Sequence, residues 1–205
     1  MIVVVDYGVG NAGALVNMLE FIGCEAHVSA DRAQIETASH LILPGVGAFD
    51  AAMQRLFVSG LIPILERQVL QKGVPLLGVC LGMQLLGRSS AEGKVRGLGW
   101  IAAEVTRLSP DARCGLRVPH IGWAPVVPKV GSRLFGARTE RRFYFSHSYH
   151  MSCADHSDVG AEYDYGGAIT CAIEHQNLFG VQFHPEKSHR EGMRLLQKFA
   201  DIRSQ

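Results

Sequence analysis

Residues 76–86 read LLGVCLGMQLL, and this stretch decides the fold. Its first part, Leu76–Val79, is an apolar run typical of a strand that is buried on both faces of a parallel sheet. Beyond Cys80, the apolar residues of the segment LGMQLL have the spacing of a helix. The stretch therefore predicts a buried strand that turns directly into a helix at the cysteine.

Strand and helix signals alternate on the N-terminal side of this stretch, which favours an α/β fold with a mainly parallel sheet. Glycine and proline punctuate them, and Gly23 is a candidate C-cap. The predicted elements are a strand at Ile2–Val5, a helix carrying Leu15, Met18, Leu19 and Ile22, strands near Ala26–Val28 and His40–Leu43, and helices over about Ala48–Phe57 and Leu61–Gln71.

The second half of the chain has a different pattern. Short β-like runs occupy Gly99 to about Val127 and Arg141 to Phe183, which predicts an antiparallel extension of the same sheet. A helical pattern ends the chain, with Ser188 and Glu191 as a possible capping box. We predict a three-layer αβα fold and a single domain over residues 1–205.

Composition excludes several functional classes. The chain has 205 residues, 47% of them hydrophobic and 19% charged, and a net charge of +1. This balance is typical of a globular protein and gives no support to a nucleic-acid partner. The sequence has no run of about 18 apolar residues, so we expect no membrane span. Five irregularly spaced cysteines without a CxxC pair favour a cytoplasmic protein with neither a disulfide framework nor a metal.

Cys80 is the candidate nucleophile. The pattern Gly-x-Cys-x-Gly at a strand-to-helix junction is that of a nucleophile elbow, in which glycines let neighbouring backbone pass close to a strained residue. The nearby helix N-terminus favours a thiolate. The alternative is that Cys80 is a small buried apolar residue, as free cysteines commonly are.

His184-Pro185-Glu186 follows the apolar run Leu178–Phe183 and supplies a candidate base. A thiolate mechanism needs a group that moves a proton to the leaving ammonia, and an imidazole does so when a carboxylate orients its second nitrogen. The alternative is a surface turn with an incidental histidine and glutamate.

Pro44–Gly47 follows another predicted strand. Its glycines could aim a backbone N–H at a developing oxyanion, at the sheet edge where α/β proteins bind ligands. The alternatives are an ordinary tight turn and, with less support, a phosphate-binding loop, because neither this segment nor residues 8–11 match a known phosphate motif.

His147 and His150 have HxxH spacing within what reads as one strand. Residues three apart on a strand face opposite sides of a sheet, so we do not expect them to share a metal ion.

Taken together, these segments resemble the class I glutamine amidotransferases with a Cys-His-Glu triad. Within that family, the match is to glutaminase subunits that serve a synthase of histidine biosynthesis. The carrying segments run along nearly the whole chain: DYG at residues 6–8, PGVGAF at 44–49, GVCLGMQLL at 78–86, GLG at 97–99, PHIGW at 119–123, YF at 144–145, HSY at 147–149 and GVQFHPEKS at 180–188.

The resemblance implies a flavodoxin-like fold and specific residue roles. Cys80 would attack the glutamine side-chain amide and form a glutamyl thioester, while His184 acts as general acid and base and Glu186 orients it. The backbone of Val46 and Leu81 would form the oxyanion hole. The residues expected to bind glutamine are Gly47, Gln84, Glu92, Ser148 and Tyr149. No cofactor or metal is implied.

The resemblance also implies a partner. Ammonia would pass to a (β/α)8-barrel synthase subunit in a heterodimer, which makes imidazole glycerol phosphate and aminoimidazole carboxamide ribonucleotide. Trp123 and Lys187 match interface positions. The family's loop at this position responds to the partner, so the glutaminase would be slow until the synthase binds its ligand. Gly45 and Gly47 would let the oxyanion peptide face the wrong way, so we expect low activity of the isolated subunit.

One position departs from the family pattern: Ala124 stands where asparagine is usual. If that asparagine contacts the partner or the Pro44–Gly47 loop in the family, its absence here would change the coupling to the synthase. Three alternatives stay open at this point. One is a paralogous glutaminase that supplies ammonia for surface-polysaccharide amidation. Another is a cysteine γ-glutamyl hydrolase or peptidase on the same fold, and the third is a non-catalytic binding subunit.

Overall fold

The computed structural model describes residues 1–136 and 139–203. The strands are β1 (Ile2–Val5), β2 (Ala26–Ser29), β3 (His40–Gly45), β4 (Leu76–Cys80), β5 (Ser89–Ser90), β6 (Ala103–Arg107), β7 (His120–Pro128), β8 (Arg141–His147), β9 (Tyr149–Cys153), β10 (Val159–Asp164), β11 (Ala168–His175) and β12 (Leu178–Val181). The helices are α1 (Ala12–Phe21), α2 (Arg32–Thr37), α3 (Phe49–Val58), α4 (Ile62–Glu66), α5 (Leu81–Leu85) and α6 (His189–Ala200).

A nine-stranded sheet in the order β2-β1-β3-β4-β12-β11-β10-β7-β8 forms the centre of the fold. The strands from β2 to β12 run parallel, and those from β12 to β8 pair antiparallel. The prediction of a parallel sheet with an antiparallel extension is therefore confirmed.

Helices cover both faces of this sheet and give three layers. On one face, α2, α3, α4 and α5 pack against residues such as Val3, Leu41 and Leu76. On the other face, α1 and α6 pack against the alternate residues, such as Val4 and Leu77. Because successive strand residues point to opposite faces, the continuous apolar runs of β1, β3 and β4 fill both cores.

Several features of the fold are absent from the prediction. Helix α2 is capped by Asp31, whose side chain accepts the Ala33 N–H at 2.9 Å. Strands β5, β6 and β9 form a separate three-stranded sheet and do not join the extension. The predicted helix over Leu61–Gln71 consists of α4 followed by a π-helical turn over Arg67–Gln71.

The parallel strands bring the candidate residues to one edge of the sheet. Strand β4 lies between β3 and β12, with Gly45 opposite Cys80 and Val181 opposite Val79. The carboxyl ends of β3, β4 and β12 therefore carry, in that order, the Pro44–Gly47 loop, Cys80 and the segment that contains His184. No helix of the described residues is long and apolar enough to cross a membrane.

Candidate active site

The backbone at Cys80 has φ 54° and ψ −111°, which non-glycine residues rarely adopt. Gly82 is needed beside it, because a Cβ on Gly82 would overlap the Leu43 carbonyl oxygen of the neighbouring strand. A Cβ on Gly78 would lie 2.6 Å from the Cα of Met83. The sharp turn of the predicted elbow thus depends on both glycines. It holds the Cys80 thiol at the carboxyl end of β4.

The Pro44–Gly47 loop lies beside this turn. The Tyr7 hydroxyl donates to the Pro44 carbonyl at 2.5 Å and anchors the start of the loop. Gly45 packs so closely on α5 that an added Cβ would lie 2.5 Å from the Gly82 nitrogen. Gly47 has φ +91°, and Val46 between them is 46% exposed. The loop therefore combines a tightly packed start with an open tip beside Cys80.

His184 is held by Glu186 in the turn after β12. Its Nδ1 lies 2.9 Å from Glu186 Oε1, and both side chains are buried. Since a carboxylate oxygen accepts, Nδ1–H is the donor, and Nε2 is the nitrogen left to exchange a proton with Cys80.

Burial by itself lowers the pKa of His184, but interaction of the imidazole with Cys80 and Glu186 more than offsets it. Together these groups raise the pKa of His184 from 6.5 to about 9. The imidazole therefore carries a proton at neutral pH, which suits a pairing with a thiolate and a later transfer to ammonia.

Ser188 fixes the same turn and corrects one prediction. Its hydroxyl donates to the His184 carbonyl at 2.6 Å and accepts the Tyr144 N–H at 3.0 Å, so it makes no side-chain cap for α6. The capping box with Glu191 is therefore wrong. The hydroxyl instead links the turn at His184 to strand β8. Sequence spacing does not reveal such a long-range hydrogen bond.

Two buried glutamines connect Cys80 to the Tyr149 backbone. Gln182 Nε2 lies 3.7 Å from Cys80 Sγ, and its Oε1 accepts from Gln84 Nε2 at 2.9 Å. Gln84 Nε2 also donates to the Tyr149 carbonyl at 3.0 Å. The sequence predicts Gln84 at the site but gives no role to Gln182, a polar residue at the end of an apolar run.

His147 belongs to a second buried polar chain. Its Nδ1 donates to the Tyr149 carbonyl at 2.8 Å, so its Nε2 accepts from the Tyr163 hydroxyl at 2.9 Å. The same hydroxyl oxygen accepts from His120 Nδ1 at 3.1 Å. Burial lowers the pKa of His147 to about 4, so the ring is neutral and holds the Tyr149 backbone in place.

The expectation that His147 and His150 lie in one strand is wrong. His147 ends β8 in the large sheet, whereas His150 lies in β9 of the small sheet and contacts Thr106. The chain changes sheets at Ser148, between the end of β8 and the start of β9. Among the described residues, no group of histidine, cysteine and acidic side chains could hold a metal ion.

A cleft of about 300 Å³ opens at this edge of the sheet. It is lined by ten of the residues singled out by the sequence: Val46, Gly47, Cys80, Leu81, Gln84, Glu92, Ser148, Tyr149, His184 and Lys187. Pro119 and His147, which the sequence does not assign to the site, also line it. Glu186 lies behind His184, and Trp123 lies outside the lining.

Trp123 lies on β7, outside the cleft lining, whereas Lys187 lines the cleft from the turn that follows β12. Trp123 is 40% exposed and stacks on His189, with ring centroids 5.5 Å apart. The Lys187 ammonium lies 5.6 Å from the centre of the Tyr144 ring. Ala124 is buried in the core on the other face of β7 from Trp123.

Comparison with known proteins gives a consistent picture. The family model described as glutamine amidotransferase class-I matches residues 3–202. A Pseudomonas aeruginosa protein named imidazole glycerol phosphate synthase subunit HisH 2 is 48% identical over 98% of this chain and 100% of its own length. A Methanococcus maripaludis protein of the same name is 44% identical over 97% of this chain and 98% of its own.

Solved structures share the fold at lower identity. A glutamine amidotransferase crystal structure superposes with a TM-score of 0.75 at 20% identity, covering 97% of both chains. A second glutamine amidotransferase, from Thermotoga maritima, gives a TM-score of 0.63 at 17% identity, covering 98% of this chain and 82% of that one.

Proposed function

Because the chain belongs to the class I glutamine amidotransferase family, we propose that it hydrolyses glutamine to glutamate and ammonia for the synthesis of imidazole glycerol phosphate in histidine biosynthesis. The observation that carries this proposal is that Cys80 and His184 line one cleft, with the His184 imidazole bonded to the buried carboxylate of Glu186. The names of the relatives support the pathway, and the match to residues 3–202 supports one catalytic domain over residues 1–205.

The proposed reaction begins with attack of the Cys80 thiolate on the side-chain amide carbon of glutamine. The C=O π electrons move to oxygen, and backbone N–H groups of Val46 and Leu81 stabilise the oxyanion. The His184 imidazolium then gives its proton to the departing nitrogen. Ammonia leaves, and the glutamyl group remains on Cys80 as a thioester.

Hydrolysis of the thioester restores the site. Neutral His184 takes a proton from water as the water oxygen attacks the thioester carbon, so the imidazolium forms again. The thiolate of Cys80 leaves, and the acid product ionises to glutamate. In this scheme Gly47, Gln84, Glu92, Ser148 and Tyr149 hold the substrate, and their place in the cleft lining supports that role.

The partner is proposed to be a (β/α)8-barrel synthase subunit in a cytoplasmic heterodimer. Ammonia released into bulk water at neutral pH is protonated and no longer nucleophilic, so a docked acceptor is needed. Trp123 and Lys187 are proposed to face that partner, and the exposed surface of Trp123 supports this arrangement. The open tip of the Pro44–Gly47 loop supports a site whose oxyanion hole depends on the partner.

The test is ammonia release from glutamine by the purified chain, alone and with the barrel partner and its nucleotide ligand. We expect low activity alone, stimulation in the complex, loss of activity in Cys80→Ala, and full activity in the control Cys114→Ala, whose cysteine is exposed. Ammonia release by Cys80→Ala at the unmodified rate would overturn the glutaminase assignment. Release that the barrel partner does not stimulate would overturn the pathway and favour a different ammonia-using synthase.

A further inference from the structure

A carboxylate outside the catalytic triad binds the loop that carries Glu92. Asp50 is the second residue of α3, and its Oδ1 and Oδ2 accept the Lys94 N–H at 3.1 and 3.0 Å. Asp50 Oδ1 also accepts the Val95 N–H at 3.0 Å. The side chain thus bonds two successive amides of a segment more than forty residues away in sequence.

The loop is shaped to receive this carboxylate. Gly93 precedes the two bonded amides, and a Cβ on Gly93 would overlap Oδ1 of Asp50. The φ of Gly93 is not positive, and the three atoms nearest to an added Cβ all belong to Asp50. The absence of a side chain at this position is therefore explained by the close approach of Asp50.

Helix α3 and the loop each supply a carboxylate that accepts a backbone N–H of the other. Glu92 Oε2 accepts the Phe49 N–H at 2.9 Å, at the first turn of α3, and Glu92 also lines the cleft. Phe49 follows the Pro44–Gly47 loop after a single residue. A clasp formed by Phe49, Asp50, Glu92, Gly93 and Lys94 therefore joins the end of the oxyanion loop to a substrate-facing carboxylate.

From this geometry we propose that Asp50 is a positioning residue for glutamine binding, which rests on the proposed function. By holding the 92–95 segment against α3, the Asp50 carboxylate fixes the Glu92 side chain at the rim of the cleft. A carboxylate in that place pairs with the α-ammonium group of a free amino acid. The clasp therefore adds to affinity for free glutamine and leaves the chemistry at Cys80 to other groups.

The test breaks the clasp from each side. We expect Asp50→Ala and Gly93→Ala each to raise KM for glutamine about tenfold, as the loss of one charge-assisted interaction does, with kcat within about threefold of the unmodified complex. In the double variant the new methyl group enters the space left by Asp50. The KM of the double variant should then equal that of Asp50→Ala within about twofold. If the two substitutions acted independently, their separate increases in KM would multiply.

A matched control is Asp31→Ala, which removes a helix-capping aspartate from α2 and should leave KM unchanged. If Asp50→Ala does not fold, Asp50→Asn, whose amide oxygen still accepts an N–H, should give an intermediate KM, and Gly93→Ala completes the comparison. Unchanged KM in folded variants, multiplied effects in the double variant, or a fall in kcat alone would overturn the inference. An unmodified complex that releases no ammonia would instead overturn the proposed function.

Discussion

At the scale of single residues, the site depends on a strained cysteine. A non-glycine residue in such a conformation costs about 1–3 kcal/mol and persists only when the surrounding structure enforces it. Here the packing of α5 across β3 and β4 does so, and that packing requires glycine at residues 78 and 82. The sequence pattern reveals the elbow because these glycines have no other reason to flank a buried cysteine.

Gly82→Ala should therefore destabilise the protein by about 1–3 kcal/mol, the usual cost of overpacking a site that cannot move aside. Gly13→Ala is the control, because an added Cβ there meets nothing within 4 Å in α1. That change should be neutral or stabilise the protein by up to about 1 kcal/mol. The free energies of unfolding in urea would measure both, and equal values would contradict the packing argument.

The raised pKa of His184 predicts the pH dependence. The folded protein keeps the imidazolium up to pH about 9, whereas the unfolded chain loses it near 6.5. This contribution to stability is complete below pH 6.5 and is lost as the pH rises through about 9. Activity should fall over the same alkaline range, because the proton donor for ammonia is lost.

Glu186→Gln removes the carboxylate that helps to hold this proton. We expect the alkaline limb of kcat/KM to move to lower pH, and the stability difference from the unmodified protein to shrink between pH 6.5 and 9. Glutaminase assays and urea unfolding across that range would measure these shifts. An alkaline limb in the same place would show that Glu186 does not act on the His184 proton.

At the scale of elements, the turn between β12 and α6 sets the place of His184. Its residues Pro185–Lys187 form a short 3-10 helix, and the buried Ser188 hydroxyl bonds both the His184 carbonyl and strand β8. A side chain at the start of a helix thus serves the site and not the helix.

Ser188→Ala should lower kcat by more than it raises KM, because His184 loses its fixed position while the substrate-binding wall stays. We expect a stability loss of about 1–3 kcal/mol for leaving two buried backbone groups without a partner. Ser59→Ala is the matched control, since that hydroxyl also bonds a backbone carbonyl and a backbone N–H but is exposed and remote from the cleft. Similar effects of the two substitutions would contradict the argument.

The pattern of apolar residues along the chain predicts a strand or helix well where burial alone determines that pattern. The apolar runs of β1, β3 and β4 and the apolar face of α1 are determined by burial alone, so they are readable in the sequence. The switch of the chain from β8 to β9 at Ser148 is not, because HSY reads as a continuous strand. Only the bonds of His147 to Tyr149 and Tyr163 show why the chain turns there.

At the scale of the molecule, the site exists because three parallel strands end side by side. The order β3-β4-β12 joins segments that are distant in the sequence, and general rules for α/β folds predict that their carboxyl ends meet. Most residues singled out in the sequence therefore line one cleft. Gln182, His147 and Asp50 escape prediction because their roles arise from bonds between elements, which no spacing along the chain encodes.

The central claim is that the carbonyl carbon of glutamine becomes bonded to the sulfur of Cys80, and trapping with hydroxylamine tests it most directly. Hydroxylamine competes with water for a thioester, so the active complex should form γ-glutamyl hydroxamate at the expense of glutamate, while Cys80→Ala should form neither. Glutamate production that saturating hydroxylamine does not divert, or hydroxamate formed by Cys80→Ala at the unmodified rate, would contradict the account.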